Sequence, residues 1–233
     1  MINKVSLFFA TVVFAAGMVF AGCDKDKGNN NGAVGGSSFI DGNTITVSVS
    51  DVGDAVDEVH LVSYTKEDEV ILATAEFSNN SFTLELPASV AAENTFLFSK
   101  GAPEGINISN ANVKVCMPDI EAYKNSNYIA DFTYENYDGD NQTDVTIWYV
   151  DGDLTITGAY TDKSNIQFNC NLKKGWNYVA TVYNGKNSDG IDTYEILTTI
   201  PEGVKWVFDS DNYKGASFSL RSAGRKALFD SLK

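Results

Sequence analysis

One histidine and three cysteines in 233 residues leave little material for transition-metal or nucleophilic chemistry. The Cys and His spacings of structural zinc sites cannot be assembled from so few ligands. A Ser-His-Asp relay would have to run through His60 alone, and no GxSxG elbow occurs. Ser63-Tyr64-Thr65-Lys66 matches SxxK in letters, but that motif works at a helix start, and Ser63 closes a strand-like run. His60 itself shares a strand face with Glu58, which reads as a solvated edge. Basic residues are scarce as well: 17 Lys and Arg stand against 31 Asp and Glu, for a formal net charge of −14. So acidic a surface repels phosphate backbones, which excludes nucleic acid as a partner. Sustained helical periodicity is also scarce, and that points away from helical folds.

What is present begins at the N-terminus. Met1-Ile2-Asn3-Lys4 is a positive start, Val5 to Phe20 is an apolar run, and Ala21-Gly22-Cys23 follows. This is the layout of a secretory signal, residues 1–22, ending at a cysteine. The small pair before Cys23 resembles the lipobox of bacterial lipoproteins, with Phe20 where Leu or Val is usual. The resemblance implies lipidation at Cys23, removal of the leader, and Cys23 as the mature N-terminus. A membrane-spanning helix would need about 20 apolar residues with flanks that hold it. Here Ser6, Thr11 and Gly17 interrupt the run, and Asp24-Lys25-Asp26-Lys27 follows at once. Several acyl chains, at about 0.8 kcal/mol per buried methylene, hold a protein on a membrane permanently. The expected address is therefore the outer membrane or cell surface, with the membrane as a partner through Cys23. After Cys23, the segment DKDKGNNNGAVGGSS up to residue 38 has almost nothing to bury and reads as a flexible tether.

From Phe39 onward, period-two alternation dominates. Ile45, Val47 and Val49 alternate with Thr and Ser, and Phe82, Leu84 and Leu86 alternate with Ser81, Thr83 and Glu85. Such runs are half-buried antiparallel strands. Others are expected near residues 56–64, 69–77, 95–99, 112–117, 128–135, 144–150, 154–160, 165–172, 176–183, 193–199 and 204–208. Asn79-Asn80, Asp151-Gly152 and Lys173-Lys174-Gly175 read as hairpin turns, so neighbouring strands should pair in sequence. Asn184 to Gly190 reads as a longer exposed loop, and Asp119 to Asn125 as the best helical fragment. The expected class is all-β and antiparallel, in two strand-rich halves divided at Lys100 to Asn107. Residues 39–102 would form a small sandwich, and residues 103–208 a larger meander, sandwich or barrel. Residues 209–233 form a basic tail with no readable role.

Several residues invite a chemical reading. Cys170 alternates with Ile166, Phe168 and Leu172 and should face a core; Cys116 lies opposite Val113, Val115 and Met117, so a disulfide between the two is patterned against. Asp138, Asp140 and Asp144, with Gln142, offer oxygens at alternate positions, as the first half of a calcium loop does. Thr143 stands where that loop needs Gly and Tyr149 where it needs a carboxylate, so a polar hairpin loop is the alternative. No other cofactor is expected. Trp148, Trp176 and Trp206 sit in strands and are expected in the core; Tyr134, Tyr137 and Tyr183 lie nearer loop ends, where a ring can meet a ligand.

The motifs SFTLELP (81–87, after Ala73-Thr74-Ala75), EAYKN (121–125), IADFTY (129–134), YVDGDLTITG (149–158), LKKGWNYV (172–179) and EGVKW (202–206) occur in order. In that succession the chain resembles a group of uncharacterised surface lipoproteins of gut Bacteroidales. The resemblance implies an all-β extracellular lipoprotein and carries over no catalytic residue. The expected function is a non-catalytic binding module for a glycan or protein ligand, contacted by loops at one end of the β domain. The alternatives are an assembly subunit pairing through a sheet edge, and a glycan hydrolase built on two carboxylates.

Overall fold

The computed structural model describes residues 38–64, 69–138 and 141–209. The leader, Cys23, the tether before Ser38 and the tail from residue 210 lie outside the described residues. Fifteen strands form among the described residues: β1 (Thr44–Ser48), β2 (Glu58–Tyr64), β3 (Glu69–Glu76), β4 (Ser81–Glu85), β5 (Phe96–Leu97), β6 (Ile106–Ile108), β7 (Lys114–Cys116), β8 (Asp119–Lys124), β9 (Asn127–Asp138), β10 (Asn141–Val150), β11 (Leu154–Thr161), β12 (Asn165–Leu172), β13 (Gly175–Lys186), β14 (Asp192–Leu197) and β15 (Lys205–Asp209). The protein is all-β and mostly antiparallel, with a two-stranded ribbon and one large sheet that does not close into a barrel.

The ribbon pairs β1 with β4 and shows how alternation makes a layer. Ile45, Val47, Phe82 and Leu84 are buried on its inner face, each worth roughly 1.5–3 kcal/mol. Thr46 and Thr83 meet on the outer face at 3.3 Å. Beneath the ribbon, the large sheet supplies Val59, Leu61, Ile120, Ala122 and Phe132 to the same core. A second core lies around Phe98, Trp148, Leu154, Phe168 and Val179. The wall between the two is the β10–β13 pair: Ile147, Tyr149 and Trp176 face the first core, Trp148, Val150 and Val179 the second.

Several expectations change. Asp119–Lys124 is strand, not helix: β8 is held between β2 and β9, with Ile120 and Ala122 in the core and Glu121 and Tyr123 on the opposite face. Ladder pairing on both edges outweighs a weak local preference. Asp151-Gly152 does not close a hairpin, because β10 already has β13 on one edge and β9 then β7 on the other. Nor do β12 and β13 pair across Lys173-Lys174-Gly175: β14 lies between them, parallel to β12. Asn79 and Asn80 do form a tight turn, both with positive φ, but it leads from the large sheet into the ribbon. The long loop expected at Asn184 is strand as far as Lys186, with an irregularity after Tyr183. Pairing also runs across the Lys100 to Asn107 stretch, since β2 is hydrogen-bonded to β8 and the first core draws on both halves.

One irregularity positions the site. Asp131 pairs with both Glu121 of β8 and Asp209 of β15, and Tyr134 pairs with both Val145 of β10 and Trp206 of β15. Hence β8 and β10 share one edge of β9, and they part at Phe132 and Thr133. The sheet forks there.

Candidate functional site

The outward phase of β2 and β8 gathers acids and rings. Val59, Leu61 and Ser63 point inward, so Glu58, His60, Val62 and Tyr64 point out; on β8 the outward residues are Asp119, Glu121 and Tyr123. An extra residue at Leu72 in β3 brings Ile71 opposite Val62 and Glu69 opposite Tyr64 on this face. From β9, Tyr128 packs edge-on against Tyr123 at 6.1 Å, and Asp131 pairs with Glu121. Tyr64, Ile71 and Tyr128 are all exposed.

Glu121 is the centre of the face. It is only 3% exposed, and both carboxylate oxygens accept phenol hydrogen bonds: Oε1 from Tyr64 and Oε2 from Tyr123 at 2.8 Å. Burial pushes its pKa above the ordinary carboxylate value, the two phenols oppose that, and the Asp131 and Asp119 charges add to it. Burial, followed by the Glu121 hydrogen bond, also raises the Tyr64 and Tyr123 phenols well above their usual value. His60 stacks on Tyr123 with ring centroids 4.1 Å apart. Its Nε2 lies 3.2 Å from Glu58 Oε2, so in the neutral ring Nε2–H donates and Nδ1 is left as an acceptor, buried without a partner among the described residues. The expectation of a solvated edge for His60 is therefore corrected: β2 has neighbours on both sides, and the ring is buried.

At the fork the face deepens into a cleft lined by Asp119, Asp131, Thr133, Asp144, Thr146 and Trp206, among others. Its cavity of about 30 Å³ suits one or two waters. Trp206 stacks on Tyr134 at 5.0 Å with ring planes 17° apart.

The other sequence candidates are dispersed. Asn141–Val150 is extended, so Asp144 sits three ladder steps, about 10 Å, from the turn that follows Asp138. The side chain of Asp138 and all of Asp140 lie outside the described residues, and no metal-holding group of three His, Cys, Asp or Glu occurs among the described ones. Tyr134 is half-buried against Trp206 and Tyr178, Tyr137 is partly buried, and Tyr183 donates to Asp192 at 2.9 Å while packing on Tyr194. Among the described residues the exposed tyrosines are Tyr64 and Tyr128. Trp148 and Trp176 are buried as expected, and Trp206 is half-buried at the cleft. Ser63 of the SxxK match is buried against Cys116 Sγ at 3.3 Å. Both Cys116 and Cys170 are free and buried, Cys116 in the first core and Cys170 in the second.

No protein-family model matches the chain, and the searches of curated proteins and of solved structures returned no match. Among the described residues this surface is rich in hydrogen-bond acceptors and lined by tyrosine rings.

Proposed function

We propose that this is an exported, Cys23-lipidated surface protein, akin to the Bacteroidales lipoproteins it resembles, acting as a non-catalytic glycan-binding module through its Glu121 face. The observation that carries the reading is the exposure of Tyr64 and Tyr128 on either side of Tyr123 and Glu121. A tyrosine ring offers a flat apolar face to the C–H face of a sugar, with a polar tip for its hydroxyls. Glu58 and Glu69 at the margin accept hydrogen bonds from further hydroxyls. Hydroxyl-rich ligands need just this mixture of ring and acceptor.

Glu121 and Asp131 are cross-strand partners, which gives the hydrolase alternative its two carboxylates. Both oxygens of Glu121 are already held by phenols, which favours binding over catalysis. The test is a glycan array probed with the full chain, alongside Tyr64→Ala and Tyr128→Ala. Capture of a glycan, weakened roughly tenfold or more by each substitution, supports the reading, tenfold being about 1.4 kcal/mol of binding free energy. No capture, or capture indifferent to both substitutions, overturns it, and release of cleaved sugar establishes the hydrolase instead.

A further inference from the structure

Where a sheet ends, half the backbone groups of its last strand face outward, and proteins ordinarily blunt such an edge with a short strand, a Lys, a Pro or a covering segment. Several edges of this protein follow that rule. β6, at one end of the large sheet, is three residues long, β15 opens with Lys205, and the two ribbon strands have five residues each. β3, at the other end, does not follow it. Among the described residues its strand partner is β2 alone, and its eight residues, EVILATAE, include no Lys, Arg, Pro or Gly. The bulge at Leu72 sharpens the twist of this edge and neither shortens nor charges it.

The side chains say what kind of strand fits. Leu72 is the extra residue against β2, so Glu69, Ile71, Thr74 and Glu76 share the outward face, and all four are exposed. Leu72, Ala73 and Ala75 are half-buried against the first core. An added strand therefore meets an apolar strip on its inner side and, on its outer side, a carboxylate at each end. Seven regular residues match this length, as Glu58–Tyr64 does on the other side of β3, and they put their first and last side chains on one face about 20 Å apart. A second copy of β3 is a poor occupant. Antiparallel pairing would set Glu69 of each chain beside Glu76 of the other, and like charges placed opposite destabilise a ladder. The net charge of −14 adds to that repulsion. Cations at both ends of the incoming strand turn both contacts attractive. Glu69 accepts a long hydrogen bond from Tyr123 at 3.3 Å, which leaves its charge in place.

We propose that β3 is a docking edge for an extended segment of another protein, about seven residues long, with Lys or Arg at both ends and apolar side chains at alternate positions between them. The segment adds to the sheet through main-chain hydrogen bonds, and its cations select it through Glu69 and Glu76. This goes beyond glycan capture and does not rest on it, since a backbone edge holds the partner.

The probe is a dye-labelled synthetic peptide with capped termini, Lys-Val-Thr-Ile-Thr-Val-Lys, set beside the same peptide with Glu at both ends. Each is titrated onto the full chain by fluorescence anisotropy. The Lys-ended peptide should bind at least tenfold more tightly than the Glu-ended one, and that preference should shrink at least fivefold in Glu69→Gln/Glu76→Gln and in 1 M salt. Hydrogen exchange at alternate β3 amides should be fast in the free chain and at least tenfold slower with the Lys-ended peptide bound. Ile71→Lys/Thr74→Lys charges the middle of the edge at two exposed positions and should abolish capture while circular dichroism stays native. The proposal is overturned by absence of capture, by equal capture of the two peptides, by capture indifferent to the Lys pair, or by β3 amides fully protected before any peptide is added. Sedimentation that shows a dimer dissociated by the Lys pair overturns it as well, because the occupant is then a second copy.

Discussion

Tyr123 donates its hydroxyl to Glu121 at 2.8 Å while lying 3.3 Å from a second carboxylate, Glu69. One phenol proton cannot serve two carboxylates well, and a protonated Glu121 relieves the conflict by donating to the phenol, which then turns to Glu69. Burial raises the Glu121 pKa in the same direction. Because the folded value lies above the ordinary 4.5, the stability tied to its proton is complete below that pH and is lost as pH rises through the folded value. The urea midpoint should therefore decline as pH climbs above about 4.5, and Glu121→Gln should flatten that decline. Asp57, Asp153 and Asp192 act in a separate window, since hydrogen bonds from Lys124, the Lys174 backbone and Lys186 respectively lower their pKa values below 3.8. Their contribution is lost only as pH falls further. An unaltered slope in Glu121→Gln would show that another group sets it.

The strands were legible because most have one wet face. In β12, NIQFNCNL alternates without a break, and Ile166, Phe168, Cys170 and Leu172 are all buried as that pattern requires. The same rule fails where both faces are covered. Cys116 lies opposite Val115, as the pattern says, but each side of β7 meets its own core. His60 fails for a related reason: its outward face is roofed by Tyr123 from the next strand. The Glu121 site was not legible, because its members come from β2, β3, β8 and β9, and alternation does not say which strands are neighbours. The available signal was that Glu58, His60 and Tyr64 share one phase, and Glu121 and Tyr123 another. Reading Asp119 to Asn125 as helix hid the second.

Trp176 links the two layers of the first core. Its ring is fully buried against Tyr149, and its Nε1–H donates to the Pro87 carbonyl at 2.8 Å, just beyond the ribbon. Trp176→Phe keeps most of the volume but strands that carbonyl, for a loss of about 1–3 kcal/mol. Trp176→Ala adds a cavity and should cost about 3–5 kcal/mol. Denaturant unfolding measures both. Equal losses in the two variants would mean that packing contributes nothing beyond the hydrogen bond.

Two glycines with positive φ should respond differently to a methyl group. At Gly158, φ is 111° and an added Cβ would sit 2.1 Å from the Gly105 carbonyl oxygen, a backbone atom that cannot swing aside. At Gly185, φ is 80° and nothing lies within 4 Å. Gly185→Ala carries only the left-handed penalty, about 1–2 kcal/mol. Gly158→Ala must also push β11 away from the Gly105 strand entry, and it should lose clearly more than Gly185→Ala in thermal unfolding. Similar losses would indicate that β6 and its lead-in are free to move.

The two body cysteines should be silent toward alkylating reagents while the protein is folded. The thiolate is the reactive form, and burial pushes the Cys170 thiol up to about 12 and the Cys116 thiol above its ordinary value. Ser63 opposes the second shift through its contact with Sγ, so Cys116 should be the first of the two to react as the protein loosens. Each lies in a different core, with the β10–β13 wall between those cores, so oxidation should not join them. Iodoacetamide at pH 8, read by peptide mass, should label neither position natively and both in denaturant, without prior reduction. Labelling that requires a reductant would reveal a disulfide and contradict the separation of the cores.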